Sequence, residues 1–460
     1  TIRKYKVSPV KLFEPETLAD IVGIIRDAEE KKYRVRAVGS GHSFSDVAVT
    51  REYLVDLYRM DSINYYDSNV ISEEYKHLNL VNCEAGIRLR DLNRLLTKMG
   101  LALKNMGGID KQKLAGVVST GTHGTGKDIE AIQGFVHSML LVAGGGKIYR
   151  IEKKNGITNP LFFNETNVEL IQDDDIFYSV LLSFGSMGII HSLVIEAEKL
   201  YYLRETKIPT NWTELKRKWA DGSIFTEGDE ESKGVPPRSV SFLINPYAIK
   251  NKKTGEEEHY CIVMRHYDAE KPRKWILIEA SRNLISYVFG NFPVTYLYTI
   301  FIFNILPFRA PFLIRSSLKS MRDKKFVHRS HKVLYQGFQF IKQRAYDAEF
   351  GFTLSNTQAA IDTIEKIMAR AKEMKANASL YHSSPLGVRF VKRSKAYLAV
   401  EYERDVAYID TPFLLRTKGT ETMLEKCQQI MFEYGGIPHW GKSNMILDGK
   451  PEFLEATYPR

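Results

Sequence analysis

Two turns built almost entirely from small residues constrain this chain more than any other feature. The first, GSGHS at residues 39–43, follows the β-like run VRAV, and the second is STGTHGTG at residues 119–126. We expect a strand before each turn. Backbone N–H groups can converge on an anion where no side chain obstructs them, and glycine supplies the positive φ angles that this needs. Together the turns predict a phosphate-bearing cofactor, whereas either turn alone is more typical of an ordinary tight connection.

Neither turn has the spacing of the common nucleotide-binding motifs. The G-x-G-x-x-G pattern and the helix that follows it are missing, and GTHGTGK lacks the Gly-Lys-Ser/Thr ending of a phosphate-binding P-loop. The sequence therefore gives little support for NAD or ATP as the cofactor.

The chain is long enough for two domains, because 460 residues exceed what one hydrophobic core usually holds. Before residue 200 we predict a helix in ETLADIVGIIRDAEEKK and a hairpin in FVHSMLLVAGGGKIYRI. After residue 200 the runs SVSFLINPY, YCIVMRHY and KAYLAVEYE predict strands, and NTQAAIDTIEKIMARAKEMKA predicts a long helix. This second pattern is typical of an antiparallel sheet with helices on one face.

Charge and cysteine content limit the setting in which the protein works. The net charge of +10 is spread along the chain, which suits an anionic cofactor or membrane as well as it suits nucleic acid. The three cysteines, Cys83, Cys261 and Cys427, form neither a disulfide framework nor a metal-binding motif. We therefore expect a cytoplasmic or peripheral membrane protein without a metal and without a nucleic-acid partner.

Four segments, AVGSGHSFSD, KNMGGIDKQKLAGVVSTGTHGTG, SFGSMGII and GGIPHWGK, occur in this order. Together they resemble the vanillyl-alcohol-oxidase-type FAD-linked flavoproteins, in particular the aldonolactone and alditol oxidase branch. The resemblance is strong over residues 7–200 and 436–442 and thinner between them. It implies a two-domain α+β fold with an FAD-binding domain over residues 1–200, to which residues 436–460 are expected to return. A cap, or substrate, domain with an antiparallel sheet and flanking helices would span residues 201–435.

The resemblance also implies how FAD is held. In family members with histidine at the position of His42, the ring is bonded covalently to the 8α-methyl carbon of the flavin, and this needs a neutral imidazole as nucleophile. We assign His123 to holding its loop or the phosphates. The expected cofactor-binding residues are Gly39, Ser40, Gly41, His42, Ser43, Gly107, Ser119, Thr120, Gly121, Thr122, His123, Gly124, Gly188, Ile189 and Lys442.

For the reaction, the family passes hydride from an alcohol carbon to flavin N5. Lys442 matches the family lysine that stabilises the reduced flavin, and Arg389 matches the arginine that contacts the substrate. We expect His439 and Trp440 to pack and position the same motif.

One position departs from the branch. Its members usually carry Glu-x-Arg, with the glutamate on the substrate hydroxyls, whereas this chain has Gly387 before Arg389. A replacement carboxylate could come from Glu349, Glu401, Glu403 or Asp410, and the sequence alone does not choose among them. Glu349 is our candidate for the catalytic group.

Gly107 bears on the electron acceptor. Oxidases of the branch carry glycine there and a dehydrogenase relative carries alanine, so we expect O2 to reoxidise the flavin. The resulting interpretation is an FAD-dependent oxidase that acts on a CH–OH group of a sugar lactone, polyol or related alcohol. The alternative is a membrane-peripheral flavin dehydrogenase, or a non-catalytic flavin-binding protein, for a hydrophobic or lipid-linked alcohol.

The stretch at residues 284–314 is rich in aromatic residues and nearly uncharged. Prolines interrupt it, and its apolar core is shorter than the roughly 20 residues that span a bilayer. Basic residues follow it, including Lys319 and Arg322. The segment is therefore either a peripheral membrane contact or a buried wall of the second domain.

Overall fold

The computed structural model describes residues 7–251, 255–272, 293–322, 325–336, 345–447 and 449–458, and these form three β-sheets. The strands of the first sheet are β1 (Lys11–Phe13), β2 (Val35–Val38) and β3 (Tyr53–Asp56), all parallel and in the order β1-β3-β2. Helix α1 (Leu18–Glu30) connects β1 to β2, and Thr17 and Asp20 form a capping box at its start. The helix predicted from the apolar spacing is therefore confirmed.

The second sheet has seven strands in the order β4-β5-β10-β7-β8-β9, and β6 also pairs with β10. The strands are β4 (Ile63–Tyr65), β5 (Asn79–Glu84), β6 (Leu101–Ala102), β7 (Val136–Val142), β8 (Ile148–Glu152), β9 (Val168–Gln172) and β10 (Ile189–Lys199). The helices are α2 (Leu89–Lys98), α3 (Leu114–Ser119) and α4 (Asp174–Leu181). Strands β7 and β8 form the predicted hairpin. The second glycine turn follows α3, so the strand expected before it is wrong.

The third sheet has eight antiparallel strands in the order β14-β11-β13-β12-β16-β17-β15-β18. The strands are β11 (Tyr202–Asn211), β12 (Ser239–Lys250), β13 (Glu257–Ala269), β14 (Phe326–Arg329), β15 (Ala345–Thr353), β16 (Leu386–Val391), β17 (Val406–Leu414) and β18 (Ile437–Pro438). The helices are α5 (Trp212–Ala220), α6 (Ser223–Thr226), α7 (Pro293–Ile305), α8 (Ala310–Met321), α9 (Ser330–Leu334), α10 (Thr357–Ala378), α11 (Thr420–Glu433) and α12 (Pro451–Thr457).

One face of the third sheet is covered by the long helices α10 and α11. Phe350, Phe390 and Ile409 point from the sheet into this core, where they meet Ile364 and Ile430 of the helices. Because side chains alternate along a strand, the neighbouring positions point to the opposite face. That opposite face carries the candidate site.

The change from the second to the third sheet falls between Lys199 and Tyr202. The C-terminal segment contacts both parts of the chain. Strand β18 pairs with β15 of the third sheet, whereas the residues just after β18 bind the glycine turns of the first part.

The strand predicted for KAYLAVEYE is wrong. Residues 395–403 form turns, and the strand begins later, at Val406. The alternation of apolar residues has another cause, because Ala396 and Ala399 pack into the core of the first part of the chain.

The aromatic stretch forms two helices, α7 and α8, separated by a 3-10 turn at Pro307–Arg309, and residues 284–292 lie outside the described residues. The helix therefore breaks at Pro307, as expected from the sequence. Phe303 and Ile314 are buried, whereas Phe301 and Phe312 are exposed. Among the described residues, no helix has both the length and the apolar character needed to cross a membrane.

Candidate active site

A cavity of about 2320 Å³ lies between the glycine turns and the third sheet. Its walls include the turn at residues 39–45, the loop from Gly107 to Lys113, the second glycine turn, and residues from β12, β15, β16 and β17. Ligand pockets for small molecules usually measure about 300–1,000 Å³. The cavity therefore has room for a large cofactor together with a substrate.

The C-terminal motif HWGK joins the two glycine turns. Phe44 N–H donates to Gly441 O over 2.9 Å, and Ser45 Oγ donates to Trp440 O over 2.6 Å. On the other turn, His439 Nε2 lies 3.1 Å from Gly121 O. His439 Nδ1 accepts from Gly441 N–H over 3.0 Å, so Nε2 must carry the proton and donate to Gly121. His439 therefore positions the loops, as the sequence suggested.

Most of the expected cofactor-binding residues line this cavity. They are Gly39, Ser40, Gly41, His42, Ser43, Gly107, Ser119, Thr120, Thr122, His123, Gly188 and Lys442. Gly41 has a φ of 66°, which favours glycine at the turn.

Three of the expected residues are not in the lining. Gly121 accepts the bond from His439, Gly124 touches Asn105 so closely that no Cβ would fit, and Ile189 lies in the core. These three residues therefore pack behind the residues that line the cavity.

His42 is half-buried at the cavity wall. Burial, with a smaller contribution from the charge of Lys111, lowers the pKa of its imidazole to about 4. The ring is therefore neutral at neutral pH and has a lone pair available as a nucleophile.

Strand register brings the charged residues of the third sheet together on the cavity floor. Leu243, Gly387, Asp410 and Glu349 form one row across β12, β16, β17 and β15. Residues directly opposite one another point to the same face. Arg389 stands two residues beyond Gly387, on the same face.

Lys442 is surrounded by three carboxylates. Its Nζ binds Asp347 Oδ2 and lies 3.3 Å from Glu349 Oε2 and 3.5 Å from Asp410 Oδ1. Although burial opposes the charge, these carboxylates raise the pKa of Lys442 above its ordinary value. Burial and the neighbouring charge of Asp410 raise the pKa of Asp347 well above its usual range. The ammonium is therefore a fixed positive charge, held within an acidic cluster.

Glu349 is almost completely buried at the centre of this cluster. Although burial opposes ionisation, the positive charges of Lys442 and Arg389 lower the pKa of Glu349 well below its usual range. Arg389 Nη1 lies 3.8 Å from Glu349 Oε1. That oxygen has no hydrogen-bond partner among the described residues. Glu349 is therefore an ionised, buried carboxylate at the cavity wall, and its Oε1 has no hydrogen bond of its own.

His123 lies beside Glu349, which the sequence did not indicate. Its ring stacks on Tyr408 with the ring centres 3.9 Å apart, and Nε2 is 3.6 Å from Glu349 Oε1. Burial lowers the pKa of His123 to about 4. Nδ1 lies 3.0 Å from Gly124 O, which can only accept, so Nδ1 carries the proton and Nε2 has the lone pair.

His123, Glu349 and His439 present potential ligand atoms within 4.8 Å of one another. A metal ligand needs a free lone pair, and both ring nitrogens of His439 are already hydrogen-bonded. This geometry does not favour a metal ion.

The structure separates the four carboxylates that the sequence could not rank. Glu349 and Asp410 line the cavity, and Glu401 and Glu403 do not. Glu401 is buried, where it accepts hydrogen bonds from Tyr408 and Gln133. Asp347 also belongs to the site and was missed, although its alternation with Glu349 in AYDAEFGF was a visible signal.

Two known families match the chain. Residues 9–152 match the family described as FAD binding domain, and residues 256–460 match the family described as D-arabinono-1,4-lactone oxidase. The first match lies within residues 7–200, where the sequence resemblance is strong, and the second includes residues 436–442 together with much of the region where the resemblance is thinner.

The chain belongs to the aldonolactone oxidase branch of the vanillyl-alcohol-oxidase family. It is an FAD-dependent oxidoreductase.

Curated relatives in this branch differ in their named activities. The chain is 27% identical over 461 residues to L-gulonolactone oxidase of Scyliorhinus torazame, covering 99% of this chain and 90% of the relative. It is 24% identical to L-gulono-1,4-lactone dehydrogenase of Mycobacterium tuberculosis, covering 95% and 87%. The match to D-arabinono-1,4-lactone oxidase of Saccharomyces cerevisiae is 29% identical and covers 47% of this chain and 37% of the relative.

Solved structures confirm the fold class. Cholesterol oxidase from Brevibacterium sterolicum superposes with a TM-score of 0.68 at 14% identity, covering 94% of this chain and 83% of that chain. This likeness concerns the fold alone.

The cofactor of this aldonolactone oxidase branch fits the residues that line the cavity. The glycine turns bring bare backbone to the wall, and Arg88 and Lys111 add positive charge along it. Both features suit the pyrophosphate of FAD. A Cβ on Gly107 would lie 3.1 Å from Thr122 Cγ2, so a side chain there would crowd the wall.

Proposed function

We propose that the protein oxidises a CH–OH group of a sugar lactone, with FAD held covalently through His42 and with O2 as the electron acceptor. The observation that carries the proposal is the cluster of Glu349, Arg389 and Lys442 on a cavity wall continuous with the glycine turns. The named activities of the relatives favour a lactone over a polyol or a simple alcohol.

Each residue of the cluster has a distinct proposed role. Glu349 Oε1, which has no hydrogen-bond partner in the described part of the chain, accepts a hydrogen bond from the reacting hydroxyl and orients that group. Arg389 places positive charge beside the oxygen on which negative charge develops as the hydroxyl proton passes to Glu349, and Lys442 would stabilise the negative charge of the reduced flavin. When bound, FAD supplies the hydride acceptor.

Substrate specificity and acceptor can be tested together. Purified protein is mixed without oxygen with L-gulono-1,4-lactone, with D-arabinono-1,4-lactone, and with a polyol and a simple alcohol as comparisons. We expect a lactone to bleach the visible flavin band, and added O2 to restore it with formation of hydrogen peroxide. Flavin that bleaches with polyols but with neither lactone would contradict the proposal.

Gly107→Ala should slow reoxidation by O2 by about 10-fold or more while leaving reduction by the lactone nearly unchanged, since one added carbon can discriminate by about 10- to 200-fold in a tight site. The new methyl group would lie 3.1 Å from Thr122 Cγ2 and 3.4 Å from His123 O. Rapid-mixing measurements of the two half-reactions separate these effects.

Gly108→Ala is the matched control for Gly107→Ala. Its Cβ would meet Gln336 at 3.4 Å, away from Thr122. If both variants and the unmodified protein are reoxidised by O2 at the same rate, Gly107 does not determine whether O2 is the electron acceptor.

We also propose that α7 and α8 contact the surface of an anionic membrane. Leu297, Phe301, Ile305, Phe308 and Phe312 are exposed large apolar side chains on these helices and the turn between them. A cluster of this kind is typical of interaction sites. The cationic residues Arg309 and Lys319 on the same segment suit acidic headgroups.

The double variant Phe301→Ser and Phe312→Ser should no longer sediment with anionic liposomes, whereas the unmodified protein should, and more weakly as salt rises. Phe303 does not serve in this test, because it is buried and its loss would disturb packing. The control is Phe162→Ser, which removes an exposed phenylalanine far along the chain. Unmodified protein that stays in the supernatant with every lipid at low salt would contradict the membrane contact.

A further inference from the structure

One row of the third sheet lacks a side chain on the cavity floor. A Cβ on Gly387 would lie 3.4 Å from Asp410 Cβ, 3.6 Å from Asp410 Oδ2 and 3.6 Å from Leu243 Cδ2. These are ordinary contact distances, so a single methyl group would fill the space. Gly387 therefore leaves a notch one side chain wide, with a carboxylate on one wall and Leu243 on the other.

Asp410 differs from the other two carboxylates around Lys442. Glu349 contacts Lys442, Arg389 and His123, and Asp347 binds Lys442 directly. Asp410 is further from the ammonium, at 3.5 Å, and is approached there through Oδ1. Its second oxygen, Oδ2, is the one that lies beside the notch. Of the three carboxyl groups, Asp410 is therefore the best placed to accept a hydrogen bond from a group that enters the notch.

The notch also lies at a useful distance from the proposed reaction centre. Gly387 and Arg389 are two residues apart on the same face of β16, which corresponds to roughly 7 Å along a strand. A small sugar ring is of similar length. A molecule whose reacting hydroxyl lies at Arg389 and Glu349 would therefore bring another of its hydroxyls to the notch.

We propose that Asp410 accepts a hydrogen bond from a second hydroxyl of the substrate, which enters the notch left by Gly387. The inference rests on the proposed oxidation of a sugar lactone and makes Asp410 a specificity-determining residue. It assigns the site a substrate class, namely lactones with a free hydroxyl remote from the reacting carbon.

Two variants test the two halves of the inference. Asp410→Ala removes the acceptor, and Gly387→Ala fills the notch while keeping the acceptor. Each is compared on D-arabinono-1,4-lactone and on 2-hydroxy-γ-butyrolactone, which has only one hydroxyl. Both variants should raise KM for the first lactone by about 10- to 100-fold, since a hydrogen bond to a charged group is lost, with a smaller change in kcat. KM for the second lactone should rise much less, so the ratio of the two KM values separates loss of the hydroxyl contact from a change at Lys442.

Asp410→Asn keeps a neutral acceptor of the same shape and should recover part of the affinity for the polyhydroxylated lactone. Flavin content and thermal midpoint confirm that each variant is folded. If the variants raise KM equally for both lactones, or for neither, the role of Asp410 is overturned and the proposed oxidation still stands. Unmodified protein whose flavin no lactone reduces would instead overturn the proposed function, and the role of Asp410 with it.

Discussion

His42→Ala should release all of its flavin when the protein is precipitated with acid, whereas the unmodified protein should keep its flavin in the pellet. The variant removes the only cavity-lining imidazole on the first glycine turn, at residues 39–43. The glycine turns remain, so FAD should still bind, but reversibly. Absorbance of the dissolved pellet and flavin fluorescence on a denaturing gel measure the retained cofactor. His77→Ala, which changes an exposed histidine, is the control and should keep its flavin.

The pH dependence of covalent attachment follows from the pKa of His42. Because that pKa is lowered from 6.5 to about 4, the neutral nucleophilic ring predominates at every pH above about 4. Attachment of FAD to flavin-free protein should therefore proceed at a constant rate near neutrality and slow only as the pH falls through about 4. A decline centred near 6.5 would show that the ring behaves as an ordinary exposed histidine. Acid-stable flavin in His42→Ala would contradict the assignment altogether.

The cofactor end of the cavity was predictable from sequence because its requirements are local. A turn that needs a positive φ angle selects glycine at one position, as at Gly41. Helix α1 was predictable for the same reason, because its buried residues Ile21, Ile25 and Ala28 follow one helical face within a few turns.

The substrate end depends on register between strands far apart in sequence, which no local pattern encodes. Glu349 and Gly387 both stand opposite Asp410 only because β17 lies between β15 and β16. Chain position alone could not separate Asp410 from Glu401. The strand wrongly predicted at residues 395–403 has the same cause. Alternating apolar residues show that one side of a segment is buried, but not which core buries it.

Lys442→Met should slow reduction of the flavin by a lactone by about 10²- to 10³-fold, the usual cost of removing one preorganised electrostatic donor from an active site. It should also lower the free energy of unfolding by about 3–5 kcal/mol, because the buried, ionised Glu349 would lose its nearest counter-ion. Anaerobic rapid mixing gives the rate, and denaturant titration gives the stability. Arg389→Ala should slow reduction similarly, with bound FAD near normal.

The loss of stability in Lys442→Met should depend on pH in a defined direction. Without the ammonium, the pKa of the buried Glu349 carboxyl should rise, because Lys442 is the largest influence that lowers it in the unmodified protein. The stability that ionised Glu349 contributes above its unfolded pKa is then lost. The difference from the unmodified protein should therefore be smallest in acid and grow toward neutral pH. Lys127→Met, which removes an exposed lysine paired with Asp128, should show neither the slow reduction nor this pH dependence. A stable Lys442→Met that reduces its flavin at the unmodified rate would exclude Lys442 from the reaction, whereas a slow but fully stable variant would confine its role to catalysis.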